Sequence, residues 1–290
     1  MSEHVPPRGQ LGIVWAELRR HRLAVASGAL LAVVAAACAL APVLAPYEFD
    51  AIDLAAIRQP PSPGHWMGTD DLGRDLLTRV LHGGRVSILI GVLSAVLGTV
   101  LGSGVGVLAG WFGRRLDNVL MRLTDVAYAI PTLPLLIVLA SYTSADAASM
   151  ALVIGLLSWM GTARVVRGEV LSLREMAFVE AARGVGAGHV RIILRHLLPN
   201  ALGPIVVGAT LAVGNAIILE SSLSFLGLGV QPPTPTWGNM LMDAQATMAT
   251  KPWLTVFPGL AILAVVLSVN FIGDGLRDAL DPMGRGRRGS

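Results

Sequence analysis

Long, almost unbroken apolar stretches alternate with short polar ones along this chain, and their lengths predict helices that cross a bilayer. The first, residues 23–45, is uncharged throughout. As a helix at about 1.5 Å per residue it reaches about 35 Å, enough for the hydrocarbon core. Further apolar stretches occupy 86–111, 126–143, 150–166, 201–219 and 254–272. The pattern predicts an all-α membrane protein with six transmembrane helices in one domain, 23–276, between a polar segment at 1–22 and a tail at 277–290.

Within the second stretch Gly98, Gly102, Gly106 and Gly110 recur every fourth residue. That spacing puts them on one helix face, where small residues let a neighbouring helix approach closely. Pro131 and Pro134 predict a bend in the third stretch, because proline removes a backbone donor. Residues 112–125, with Arg114, Arg115 and Arg122, read as a charged loop, and Asp146 lies in a very short turn.

The polar connection 46–85 is proline-rich at Pro60, Pro61 and Pro63. Thr69 is expected to cap a helix whose first turn carries Asp70 and Asp71, where carboxylates suit the positive end of the helix dipole. His65, Asp70, Asp71 and Asp75 could be read as metal ligands, but capping explains them more simply, and no metal site is assigned. Glu220 closes the fifth stretch, and 220–238 is too rich in proline, glycine and polar residues to continue as a helix. A carboxylate there is costly against lipid, so Glu220 is expected to face the protein interior or the mouth of the bundle.

The 167–200 connection holds the most informative polar passage, Glu180-Ala-Ala-Arg-Gly-Val-Gly-Ala-Gly-His189 followed by Val190 to Asn200. Helix formers up to Arg183 give way to Gly184, Gly186 and Gly188, which let the backbone turn sharply. A second amphipathic helix is expected over 189–198, with Ile192, Ile193 and Leu197 on one side, Arg191 and Arg195 on another, and Pro199 ending it. Helix, elbow and amphipathic helix together suit docking into a groove on another protein.

Composition agrees with a membrane protein: 53% of residues are hydrophobic and 14% charged, against about 25% charged in a soluble domain. Among the 22 basic residues, only Arg58, Arg74, Arg79, Arg85 and Lys251 fall outside if both termini are cytoplasmic. This satisfies the positive-inside rule and places 167–200 in the cytoplasm. The arginines are spread among connections, so no nucleic-acid partner is expected. The lone Cys38 allows neither an internal disulfide nor a cysteine metal site. Residues 23–45 exceed a secretory signal's apolar region, so a retained first helix is expected.

The elbow resembles the cytoplasmic "EAA" loop of permease subunits of ATP-binding-cassette importers, through Glu180, Ala181, Ala182, Gly186 and Pro199. His196-Leu-Leu-Pro-Asn200 resembles the ending common in the peptide-transport branch. Met67 to Asp75, Leu223 to Gly238 and Leu276 to Pro282 likewise resemble the second permease subunit of oligopeptide and dipeptide importers. The resemblance implies a type I importer permease fold whose coupling helix docks on an ATPase subunit through Glu180, Ala181, Ala182, Arg183, Gly184, Gly186 and His189. It also implies a homologous second permease, two ATPase subunits that hold ATP and Mg, an extracytoplasmic peptide-binding protein, and a place among the lipids of the bacterial plasma membrane. Close relatives carry nickel or other small solutes, which leaves nickel as the alternative cargo.

Other classes fit less well. A P-loop needs Gly-x-x-x-x-Gly-Lys-Ser/Thr, and the only lysine, Lys251, lies between Thr250 and Pro252. No catalytic residue or bound cofactor is therefore expected, and ATP must be hydrolysed by a partner. An ion-coupled transporter places ionisable groups inside its spans, whereas the six stretches hold only Arg164 near an end. An intramembrane enzyme needs convergent polar groups, and all six histidines lie outside the stretches.

Overall fold

The computed structural model describes residues 17–19, 21–144 and 146–280. Among them no β-strand forms; the single isolated bridge joins Thr69 to Asp75. The helices are α1 (Arg22–Ala39), α2 (Ala41–Leu44), α3 (Leu76–Phe112), α4 (Arg114–Ala129), α5 (Thr132–Ala140), α6 (Ala147–Leu157), α7 (Trp159–Leu173), α8 (Ala177–Gly184), α9 (His189–Ile192), α10 (Leu198–Phe225), α11 (Trp237–Ala244) and α12 (Trp253–Leu280). Four runs are long and apolar enough to cross a membrane alone: α1, α3, α9 through α10, and α12. The bent pairs α4–α5 and α6–α7 raise the number to six if each is one crossing.

At 37 residues α3 is the axis of the fold, flanked by α7, α10, α6 and α1. It starts ten residues before the expected apolar stretch. The cap responsible is Asp75, whose side chain accepts the Thr78 amide at 2.8 Å, and not Thr69. Thr69 Oγ1 instead accepts the Gln59 amide and donates to the Ala56 carbonyl, pinning the connection that precedes α3. Gly113, at φ 58°, ends the helix.

Residues 112–125, expected as a loop, instead end α3 and form most of the helix α4, which runs on to Ala129. Leu116, Val119, Leu123 and Val126 follow the helical period between the charges, which lowered the overall hydropathy enough to hide it. The predicted bend is a break of 82° between α4 and α5. Ile130, preceding a proline, is held extended (φ −81°, ψ 125°), as the proline ring requires. Pro134 falls in the first turn of α5, where an amide would lack an intrahelical partner anyway. A milder 43° bend at Ser158 separates α6 from α7, and α7 runs on to Leu173, past the expected end of the fourth stretch.

Pro199 does not stop its helix. Residues 193–197 adopt a π-turn in which the Leu198 amide reaches the Ile193 carbonyl, five residues back, and the chain continues as α10. The wider turn lets the helix absorb a proline that has no amide to offer. α10 also passes through Glu220 to Phe225, beyond the expected limit at 219, because Ser221 and Ser224 hydrogen-bond to Glu220 inside the bundle and Ser222 bonds back to the Ile218 carbonyl of its own helix. α12 extends to Leu280. Leucines and valines such as Val33, Val43, Val96 and Val100 remain exposed around the bundle, the surface a lipid environment covers.

Candidate functional site

At the end of α3 marked by Trp111, the 177–200 segment forms a compact elbow. α8 buries Val179 and Ala182; the next helical turns bury Ile192 and Leu197, in one cluster with Val107 and Val170. The reversal between them is a Schellman turn: the Gly186 amide bonds the Arg183 carbonyl at 2.9 Å and the Ala187 amide bonds the Ala182 carbonyl at 3.0 Å. Gly186 has φ +78°, the left-handed conformation that motif requires, while Gly188 has an ordinary φ of −71°. Of the three glycines, Gly186 alone is demanded by the backbone.

The docking residues expected from sequence do not all face the same way. Glu180, Ala181, Gly184 and Gly186 are exposed, and Ala182 is buried. Nothing lies within 4 Å of where a side chain on Gly186 would start. Val185 at the tip is 85% exposed. Arg183 and His189 are also exposed, but both bear on Trp111: the guanidinium stacks 4.7 Å from the indole ring, and the indole N–H donates to His189 Nδ1 at 3.2 Å. Between α8 and the turns after it runs an open groove of about 470 Å³, with Phe178, Ala181 and Val185 on one wall and Arg191, Arg195 and His196 on the other.

The four glycines at the four-residue spacing, Gly98, Gly102, Gly106 and Gly110, lie against α7 and the end of α6. A methyl group built on Gly102 would sit 2.5 Å from the Trp159 carbonyl oxygen, and on Gly106 2.6 Å from that of Ala163. Gly98 abuts Ser158 and Gly110 abuts Val170. Ion pairs extend this contact to α4: Arg167 binds Asp117 through two nitrogens at 2.5 and 2.6 Å, and Arg164 binds Asp125 at 2.7 Å. Arg174 donates to the Gly110 carbonyl at 3.0 Å.

The opposite end of α3 carries two buried polar groups. Glu220, fully buried, accepts from Ser224 at 2.7 Å and Ser87 at 3.1 Å, with Ser221 at 3.4 Å. Ser87 also receives the Trp237 amide, so one carboxylate ties α3, α10 and the start of α11 together. Nearby, Asp70 accepts from Arg74 at 2.7 Å and pairs with Arg79 at 3.2 Å, while Asp75 bonds His65 at 2.9 Å and caps α3. Burial pushes the Asp243 carboxyl above the usual range, against the pull of Arg79 and Arg74. The carboxylates that could be read as ligands are thus engaged by arginine, histidine and backbone amides. Among the described residues no group of three His, Cys, Asp or Glu side chains could hold a metal ion.

Sequence reasoning missed Trp111 and the three serines around Glu220. Trp111 has no periodic signal, although the aromatic pair Trp111-Phe112 marks where the glycine ridge ends. Ser221 and Ser224 are visible as the polar flank of Glu220 but read as the end of the helix, and Ser87 lies 133 residues away on α3 with nothing in the sequence to link it.

Residues 102–285 match the family model described as binding-protein-dependent transport system inner membrane component. Residues 9–61 match the N-terminal TM domain of oligopeptide transport permease C. A permease protein of Brucella suis biovar 1 is 48% identical over 243 residues, covering 83% of this chain and 80% of that one. The oligopeptide transport system permease protein OppC of Escherichia coli K12 is 42% identical over 278 residues, 94% of this chain and 92% of its own. The glutathione transport system permease protein GsiD of Pectobacterium atrosepticum is 39% identical over 269 residues, 92% and 89% of the two chains. In structure, the chain is similar to a subunit of the MetNI methionine ABC transporter in an inward-facing form, with a TM-score of 0.58 and 19% identity over 70% of this chain and 96% of that one.

Proposed function

The chain belongs to the family of binding-protein-dependent transport system inner membrane components, and from that premise we propose that it forms half of a peptide pathway and is driven through the glycine elbow. As a member it is a multi-pass permease subunit of an ABC importer with the type I permease fold. It is a transport component and not an enzyme; ATP is hydrolysed by partner ATPase subunits.

The reading goes further on three points. The cargo is an oligopeptide or dipeptide, supported by the motifs over 67–75 and 223–238 and by relatives named for oligopeptide and glutathione transport. The second half of the pathway comes from a homologous permease, with an extracytoplasmic peptide-binding protein delivering cargo. Both termini and the elbow lie in the cytoplasm, supported by the distribution of arginine. ATP and Mg are held by the ATPase subunits, and this chain binds no cofactor of its own.

The observation that carries the coupling role is the elbow itself, a left-handed glycine turn held out at one end of the bundle while its flanks are buried in the core. Glu180, Ala181, Gly184 and Gly186 meet the ATPase cleft, and the bare Gly186 permits close approach. Val179, Ile192 and Leu197 tie the elbow to α3 and α7. Closure of the ATPase pair on nucleotide then pushes a rigid unit and shifts the permeases between inward-open and outward-open populations.

Gly186→Asp in the complete importer tests this. The left-handed conformation accepts Asp better than most residues, so assembly of the permeases is expected to survive while substrate-stimulated ATPase activity is abolished. Normal transport by that variant refutes the docking role. Uptake of labelled peptides and of nickel by a strain lacking this gene tests the cargo, and loss of nickel uptake alone overturns the peptide assignment.

A further inference from the structure

We infer that Trp111 is the joint through which the elbow moves α3, and that Arg183 and His189 act through it more than on a partner. The inference rests on the docking role proposed above and adds a positioning residue outside the elbow.

Trp111 stands one residue from the end of α3 and is only 7% exposed. Three contacts converge on it and its neighbour. Its indole N–H donates to Nδ1 of His189 at 3.2 Å, and the His189 ring stands nearly edge-on at 5.8 Å between centroids. The Arg183 guanidinium lies over the indole face at 4.7 Å, the most favourable ring for a cation. The Phe112 ring lies tilted at 5.8 Å from that of His189, centroid to centroid. Indole is a donor only, so His189 must offer an unprotonated Nδ1.

Both ends of the elbow therefore grip one side chain: Arg183 comes from the last turn of α8, and His189 opens α9. Arg174, at the end of α7, fastens the same turn of α3 through the Gly110 carbonyl. Just before this turn the glycine seam holds α3 and α7 in contact. A push on the elbow thus reaches α3 at its end and is carried along a helix pair with little freedom to slip. Val185 and Gly186, which touch nothing in this way, are left for the partner.

The test uses the complete importer in proteoliposomes, with its binding protein and a labelled tripeptide. It reads the ratio of binding-protein-stimulated to basal ATPase activity, and cross-linking from a cysteine at Val185 to the ATPase subunit. Trp111→Leu removes ring and donor, Trp111→Phe removes the donor, His189→Leu removes the acceptor and His189→Asn keeps one near Nδ1. The expected result is a stimulation ratio lowered about fivefold to tenfold by Trp111→Leu and His189→Leu, the scale of a strong pairwise coupling. His189→Asn restores it, and Trp111→Phe adds nothing to His189→Leu. The Val185 cross-link persists in every variant.

Wild-type stimulation in the leucine variants overturns the inference, as do additive losses in the double variant or a failure of His189→Asn to restore. Loss of stimulation together with the cross-link makes Trp111 part of the docking surface and also overturns the joint, while the docking role stands. A wild-type importer with no Val185 cross-link fails the docking role itself. Should Trp111→Leu not assemble, Trp111→Phe and the His189 pair decide, since they leave a ring in place.

Discussion

Adding one methyl group at Gly102 or Gly106 should destabilise the bundle, whereas the same change at Gly104 on the same helix should not. At Gly102 the new carbon would lie 2.5 Å from the Trp159 carbonyl oxygen and 2.7 Å from Thr162 Cβ; at Gly106 the distances are 2.6 Å to Ala163 O and 2.8 Å to Val166 Cβ. An unstrained carbon–oxygen contact is about 3.3 Å, so α3 and α7 must part by roughly 0.8 Å. The carbonyls belong to helix backbone and cannot rotate aside. Overpacking of this kind costs about 1–3 kcal/mol, partly offset by about 1 kcal/mol of helix propensity gained on replacing glycine with alanine. The net expectation is about 1 kcal/mol lost at either site. One separation of the helices relieves both clashes, so the double variant should lose less than twice that. Gly104 has nothing within 4 Å and keeps only the propensity gain. Gly98, with nearest atoms at 3.0 and 3.2 Å, should fall near neutral. Unfolding midpoints of the purified importer in detergent should rank Gly104→Ala highest, then Gly98→Ala, then the Gly102 and Gly106 variants. Equal midpoints for Gly102→Ala and Gly104→Ala would refute the close-contact seam.

Glu220→Ala strands the hydroxyls of Ser87 and Ser224 and leaves a cavity, and should cost about 3 kcal/mol. Glu220→Gln keeps an acceptor and should stay within about 1 kcal/mol; equal thermal midpoints for the two variants would show that the cluster holds nothing together. Asp146 caps α6, and hydrogen bonds first from Ser144 and then from Ser149 hold its carboxyl down to about 2 from 3.8. A lowered carboxylate pKa contributes stability above its unfolded value and loses it as the pH falls through the folded one. The stability difference between wild type and Asp146→Ala should therefore be present at neutral pH and disappear as the pH falls from 3.8 toward 2; a difference that persists at pH 2 argues against the cap.

The features legible in the sequence were those written as length or period. The apolar stretches 86–111, 201–219 and 254–272 lie inside single helices, whereas 23–45 and 126–143 each cross a break and run past a helix end; the four-residue glycine spacing put Gly98 to Gly110 on one face. Gly186 was visible as part of a glycine cluster, but which of the three needed the left-handed turn was settled only by the Schellman hydrogen bonds. Proline misled in one place and not in another: Pro131 breaks the chain because Ile130 is driven extended, whereas Pro199 is absorbed by a π-turn that a sequence pattern does not announce. The helical character of 114–125 was hidden by its charges, of which Asp117 and Asp125 pair with Arg167 and Arg164 across the bundle. Thr69 and Asp75 are both good caps by residue type; tertiary contacts took Thr69 for the preceding loop. Trp111 was out of reach because its role is set by residues more than seventy positions away.

Placing a single cysteine at Val185 is the most direct test of coupling through the elbow. The side chain there is 85% exposed, and the one native cysteine, Cys38, is buried, so background labelling is low. In membranes holding the assembled importer, a short bifunctional reagent should join residue 185 to the ATPase subunit with a yield that changes on adding nucleotide, and an impermeant maleimide applied from outside should not reach it. Labelling from outside, or full reactivity at 185 with no ATPase adduct under any nucleotide condition, would contradict the account.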